Sequence, residues 1–119
     1  MKPELKQFAE TLRAAGFDVY VPNNETSQYF KFRKDGHWGY VQENTYRMGY
    51  DFSTVHRASR ANGTGHVYKQ ETELTLENAE RTIKRSREVI EGYHTKNIDL
   101  ERNPNGSDEK WIIEHYTKL

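Results

Sequence analysis

Cysteine is absent from the 119 residues, and with it go disulfide frameworks, thiolate zinc sites and thiol nucleophiles. Net charge is absent too. Eighteen Lys and Arg balance eighteen Asp and Glu, so no global field draws the chain to nucleic acid or to a membrane, and any such contact must come from a local patch. No apolar run approaches the ~20 residues of a membrane-spanning helix. The opening MKPELKQFAE lacks the apolar stretch of a signal peptide. A soluble, unexported, cytoplasmic protein without membrane contact is expected. No G-x-x-x-x-G-K-[ST] loop is present, no two histidines stand at i, i+4, and Asp and His form no dense cluster. Neither a metal nor a cofactor is therefore expected.

Hydrophobic residues make up only 34%, so the core must be small. Eight tyrosines, five phenylalanines and two tryptophans let it bury a large area per side chain. The length suits a single domain over 1–119. Pro3 suits a first helical turn, and Leu5, Phe8, Ala9, Leu12 and Ala15 recur at three- and four-residue steps until Gly16 stops the helix. FDVYVP then alternates as a strand does.

The strongest local signal is YFKFRKDGHWGYV, where Asp35-Gly36 joins two strand-like runs as a type I′ hairpin turn requires. That turn pairs 34 with 37, 33 with 38, 32 with 39, 31 with 40 and 30 with 41. Phe30, Phe32, Gly39 and Val41 then share a core face. Tyr29, Lys31, Arg33, Trp38 and Tyr40 share the other, an aromatic and basic surface. YDFSTVH and HVYKQ read as further strands. Thr75 can cap a helix with Leu76, Ala79, Ile83 and Ile90 on one stripe, ended by Gly92, with Glu77-Arg81, Glu80-Lys84 and Arg87-Glu91 pairing on its outer face. Residues 95–110 read as a polar loop, and 111–119 as a tail that docks Trp111, Ile112 and Ile113 as a strand or short helix. The order predicts an α+β fold: an antiparallel sheet of four to five strands with an N-terminal helix and a longer helix after the sheet, the helices on one face.

Three features could carry function. The hairpin surface of Tyr29, Lys31, Arg33, Trp38 and Tyr40 has the chemistry of a partner-binding face, because aromatics and Arg anchor protein interfaces. The same groups stack on bases and follow a phosphate backbone, so RNA or single-stranded DNA is the alternative partner. A helix covering this face would explain the residues as well. The stretch FSTVHRASRANGTGHVY adds Arg57 and Arg60 as contacts, and its Gly63-Thr64-Gly65 reads as a turn rather than a phosphate loop. His56 and His66, which bound that stretch, could serve as acid and base of a metal-free phosphodiesterase or ribonuclease, with Arg57 or Arg60 stabilising charge. The basic run Arg81, Lys84, Arg85 and Arg87 is interleaved with glutamates on its helix and reads as a solvated face.

Residues 28–68, with the Asp-Gly hairpin, the FSTVH run and the Gly-Thr-Gly turn, resemble stretches of small uncharacterised proteins encoded by phages and prophages. The resemblance brings no catalytic residues. It implies a non-enzymatic binding protein that inhibits a host protein or nucleoprotein complex, in the manner of anti-defence proteins such as anti-CRISPRs, and acts in the cytoplasm of the host cell.

Overall fold

A computed structural model of the chain describes residues 1–24, 29–43, 52–59, 66–90 and 109–119, with side chains described at all of these except 57–59, 66–68 and 90. Helix α1 (Pro3–Ala14) begins on proline, whose fixed φ and missing N–H suit a first turn, and ends before Gly16 at φ 91. Leu5, Phe8, Ala9 and Leu12 are buried, while Ala15, just past the helix, stays exposed.

Five strands follow as a meander: β1 (Asp18–Pro22), β2 (Phe30–Lys34), β3 (His37–Glu43), β4 (Phe52–Ser59) and β5 (His66–Thr72). Each runs antiparallel to the next. At the hairpin tip both Asp35 (φ 53) and Gly36 (φ 78) are left-handed, the backbone of a type I′ turn. The register is the predicted one, Phe30 with Val41 through Lys34 with His37.

Side chains alternate across this sheet, and the first face carries the main core. Val19, Phe30, Phe32, Val41 and Phe52 meet the apolar stripe of α1 and the Ala79 and Ile83 positions of α2 (Leu76–Ile90). Thr75 caps α2, its hydroxyl accepting the Asn78 N–H at 3.1 Å. The buried Asn78 amide donates to the carbonyls of Thr72 and Glu73, holding the turn in which Glu73 takes φ 94. Leu76 opens the helix 39% exposed, so the apolar stripe begins in earnest at Ala79.

Helix α2 lies close on β3 because position 39 has no side chain. A Cβ there would stand 2.6 Å from both Phe32 Cζ and Thr82 Cγ2. Gly39→Ala should therefore destabilise the fold by about 1–3 kcal/mol, since neither the core ring nor the β-branched Thr82 can swing aside. A denaturant midpoint equal to wild type would show that α2 is free to lift.

The second face is where the structure departs from expectation. A short helix α3 (Glu109–His115) and a sixth strand β6 (Tyr116–Lys118) fold back over it, β6 pairing antiparallel with β1. The sheet thus has six strands in the order β5-β4-β3-β2-β1-β6, not four to five, and helices lie on both faces. The tail divides because Tyr116 onward finds a free edge at β1, whose Val19 carbonyl also accepts the Leu119 N–H at 2.9 Å. Of the three apolar residues expected to dock, only Ile112 is buried. Trp111 and Ile113 are exposed. The loop assigned to 95–110 lies outside the described residues up to 108; Glu109 and Lys110 belong to α3.

Ion pairs tie α2 to the hairpin tip. Lys34 meets Glu80 at 2.6 Å and Arg87 meets Asp35 at 3.7 Å. Glu80 thus reaches across to the sheet instead of along its own helix to Lys84, whereas Glu77 pairs with Arg81 as spacing predicts. The expected partner of Arg87, Glu91, lies outside the described residues.

Candidate functional site

The hairpin face proves to be half core and half surface. Trp38 is 1% exposed in a second cluster with Tyr20, Ile112 and Tyr116. Its reading as a surface contact is corrected: α3 covers it, and Tyr20 packs against it at a tilt of 51° and a centroid distance of 5.0 Å. Arg33 is consumed by the same packing. Its guanidinium lies 5.4 Å over the Trp38 ring and 5.9 Å over Tyr20, bonds to Asp18 at 3.1 Å, and bonds to Glu109 in the first turn of α3 at 2.6 Å. Burial acts to lower the Arg33 pKa, but these two carboxylates outweigh it and raise it. Arg33 is therefore a clamp holding α3 on the sheet, not a free contact.

The remaining hairpin residues stay near solvent and gain partners that spacing did not reveal. Tyr29 is 41% exposed and packs against Tyr116 at 6.4 Å. Trp111, 47% exposed, meets Tyr116 edge-on at 5.8 Å and stacks nearly parallel on His115 at 4.4 Å and 16°. The His115 Nδ1 lies 2.9 Å from the Trp111 carbonyl, which helps fix that stack. Lys31 places its ammonium 5.0 Å over Tyr40 and 6.0 Å over Tyr116. Tyr116 is thus the buried floor of an open cluster: Tyr29 and Trp111 rise from it at 58° and 64°, and Lys31 and Tyr40 border it. Sequence reasoning missed Trp111, His115 and Tyr116. The one available signal was the i, i+4 spacing of Trp111 and His115, which places both on one side of a helix.

No family model, curated protein or solved structure matches this chain.

His56 lies on β4, 1% exposed, and neither ring nitrogen has a hydrogen-bond partner among the described residues. Burial, then the charges of Arg85 and His37, push its pKa down to about 4. A neutral imidazole closed off from solvent is poorly placed to exchange protons with a substrate. The register also separates it from its proposed partner. His56 pairs with Lys69 and His66 with Ser59, so the two stand three ladder positions apart, about 10 Å along the strands. Arg57 holds a place in β4 opposite Tyr68, while its side chain, that of His66, and all of Arg60 and Gly63 to Gly65 lie outside the described residues. Among the described residues no group of three or more His, Asp and Glu is placed to hold a metal ion, and no helix is long and apolar enough to cross a membrane.

Proposed function

We propose that this protein works by binding, without chemistry of its own, and that it occludes a macromolecular partner through the ring cluster around Tyr116. The observation that carries this reading is the exposure of Trp111 and Tyr29 on a common floor, beside a lysine held against two rings. Exposed rings that are immobilised by neighbours lose little entropy on binding, which is what makes tryptophan and tyrosine effective anchors. The contact set is Tyr29, Lys31, Tyr40, Trp111 and His115; Trp38 and Arg33 support it from beneath. With no net charge on the chain, a protein or nucleoprotein partner suits this surface better than free nucleic acid. The resemblance of residues 28–68 to phage-encoded proteins makes that partner a host factor, met in the host cytoplasm, and the action inhibitory.

Trp111→Ala should weaken partner capture by about 2 kcal/mol, roughly 30-fold in Kd, with an unchanged circular dichroism spectrum. The check is a pull-down from host lysate with wild type and variant, run with and without nuclease. Equal capture by both proteins would remove the ring cluster from the contact. Capture lost on nuclease treatment would transfer the surface to single-stranded nucleic acid, for which affinity must then fall with salt at a log–log slope of about −0.7 per phosphate.

A further inference from the structure

The two edges of the sheet are finished differently. At one, β6 is only three residues long, and the Leu119 N–H that follows it is bonded back to β1. A strand that short offers a newcomer few groups to pair with. At the other edge β5 runs for seven residues, and its ladder with β4 continues without a bulge from Ser53↔Thr72 to Ser59↔His66. It contains neither proline nor glycine. Among the described residues β5 pairs with β4 alone, so every second residue turns its N–H and C=O away from the sheet. The Thr72 carbonyl, at the end of the strand, accepts from the Asn78 amide, which places the stretch suited to pairing before it.

We propose that β5 pairs antiparallel with β5 of a second copy of this chain, about a two-fold axis at Gln70. The charges on the strand select both that partner and that register. Lys69 and Glu71 share one face, as the ladder partners of His56 and Thr54, and neither has an ion pair among the described residues. They stand about 7 Å apart along their own strand and do not pair with each other. An axis at Gln70 sets Lys69 against Glu71 of the second copy, and Glu71 against its Lys69, with Cβ atoms about 5 Å apart. Moving the axis by one residue fails in either direction: at Lys69 it opposes two lysines, and at Glu71 two glutamates. Like charges directly opposed destabilise a strand pair. The two sheets then become one continuous sheet, and the Tyr116 rings, on β6, stand at its two far ends, clear of the contact. One strand pair with two exposed charge pairs is a small interface, so the dimer belongs to the weak, transient class.

Sedimentation velocity at concentrations up to about 1 mM, where weak association becomes visible, should show a monomer–dimer equilibrium. Lys69→Glu and Glu71→Lys should each weaken the dimer by about tenfold or more, since both cross-strand pairs become like-charged. Mixed in equal amounts, the two variants should dimerise again, because one copy then sets two glutamates against two lysines of the other. The double change Lys69→Glu with Glu71→Lys keeps unlike pairs and should associate as wild type does; it decides the register if a single variant does not fold. A wild type that stays monomeric throughout would overturn the pairing, as would a mixture or a double variant that stays monomeric. A dimer that both reversals leave intact and Trp111→Ala disrupts would also overturn it, by assigning self-association to the ring cluster.

Discussion

Trp38→Ala should cost about 3–5 kcal/mol of folding stability, the range for deleting a large buried ring. The indole fills the space between the sheet and α3, touching Tyr20, Ile112 and Tyr116. Its loss also removes the ring under Arg33, and with it part of the clamp to Glu109. Because the Trp38 Nε1–H is buried with no partner among the described residues, Trp38→Phe should cost substantially less: it keeps a ring in place and removes that donor. Urea unfolding of the two variants beside Trp111→Ala makes the test. Trp111 stands exposed and should unfold near wild type. If Trp38→Ala were as stable as Trp111→Ala, α3 would not be docked where it is described, and the second core would be lost as an account of this face.

Acid should unfold the protein through His56. Its pKa falls from 6.5 to about 4 on folding, so the unfolded chain takes up a proton that the folded one refuses. The contribution is complete above pH 6.5, is lost as pH falls toward 4, and changes no further below that. At 1.36 kcal/mol per pKa unit the loss is roughly 3 kcal/mol. Carboxylates titrate in the same range, so the quantity to measure is the difference between wild type and His56→Gln. Denaturant midpoints at pH 7 and pH 4, in phosphate-free buffer, should show a steeper acid loss in wild type. Parallel losses would mean that the imidazole reaches water in the folded protein.

The hairpin shows how much a local pattern can specify. Asp35 and Gly36 tolerate positive φ, and once the turn is set the pairing of five residues on each side follows from chain geometry alone. The division of the hairpin into two faces was equally legible, because strand side chains alternate without reference to anything else. Helix α1 and the Thr75 cap of α2 were readable for the same reason: each depends on residues within a few positions.

His56 was legible only as a histidine near a loop. Its neighbours Arg85 and His37 lie far off in sequence, on α2 and β3, so no spacing rule could join them. The ring cluster was half legible: Tyr29, Lys31 and Tyr40 came from the hairpin, whereas Trp111, His115 and Tyr116 arrive from the far end of the chain.

By itself, then, the sequence determined the α+β class, the hairpin register, the apolar stripe of α1 and the start of α2, all set by contacts between residues close along the chain. The tertiary structure alone decided which side of the hairpin is wet. An apolar or aromatic face is compatible with solvent contact, a partner or a covering helix, and only the return of α3 and β6 over the second face chose the last for Trp38 and left Trp111 outside. That choice rests on long-range packing, in which Arg33 bridges Asp18 and Glu109, the latter 76 positions further along the chain than Arg33 itself, and on the open edge of β1 that β6 fills. Such contacts form only once the chain is folded, because closing a loop of that length must be offset by many contacts made together.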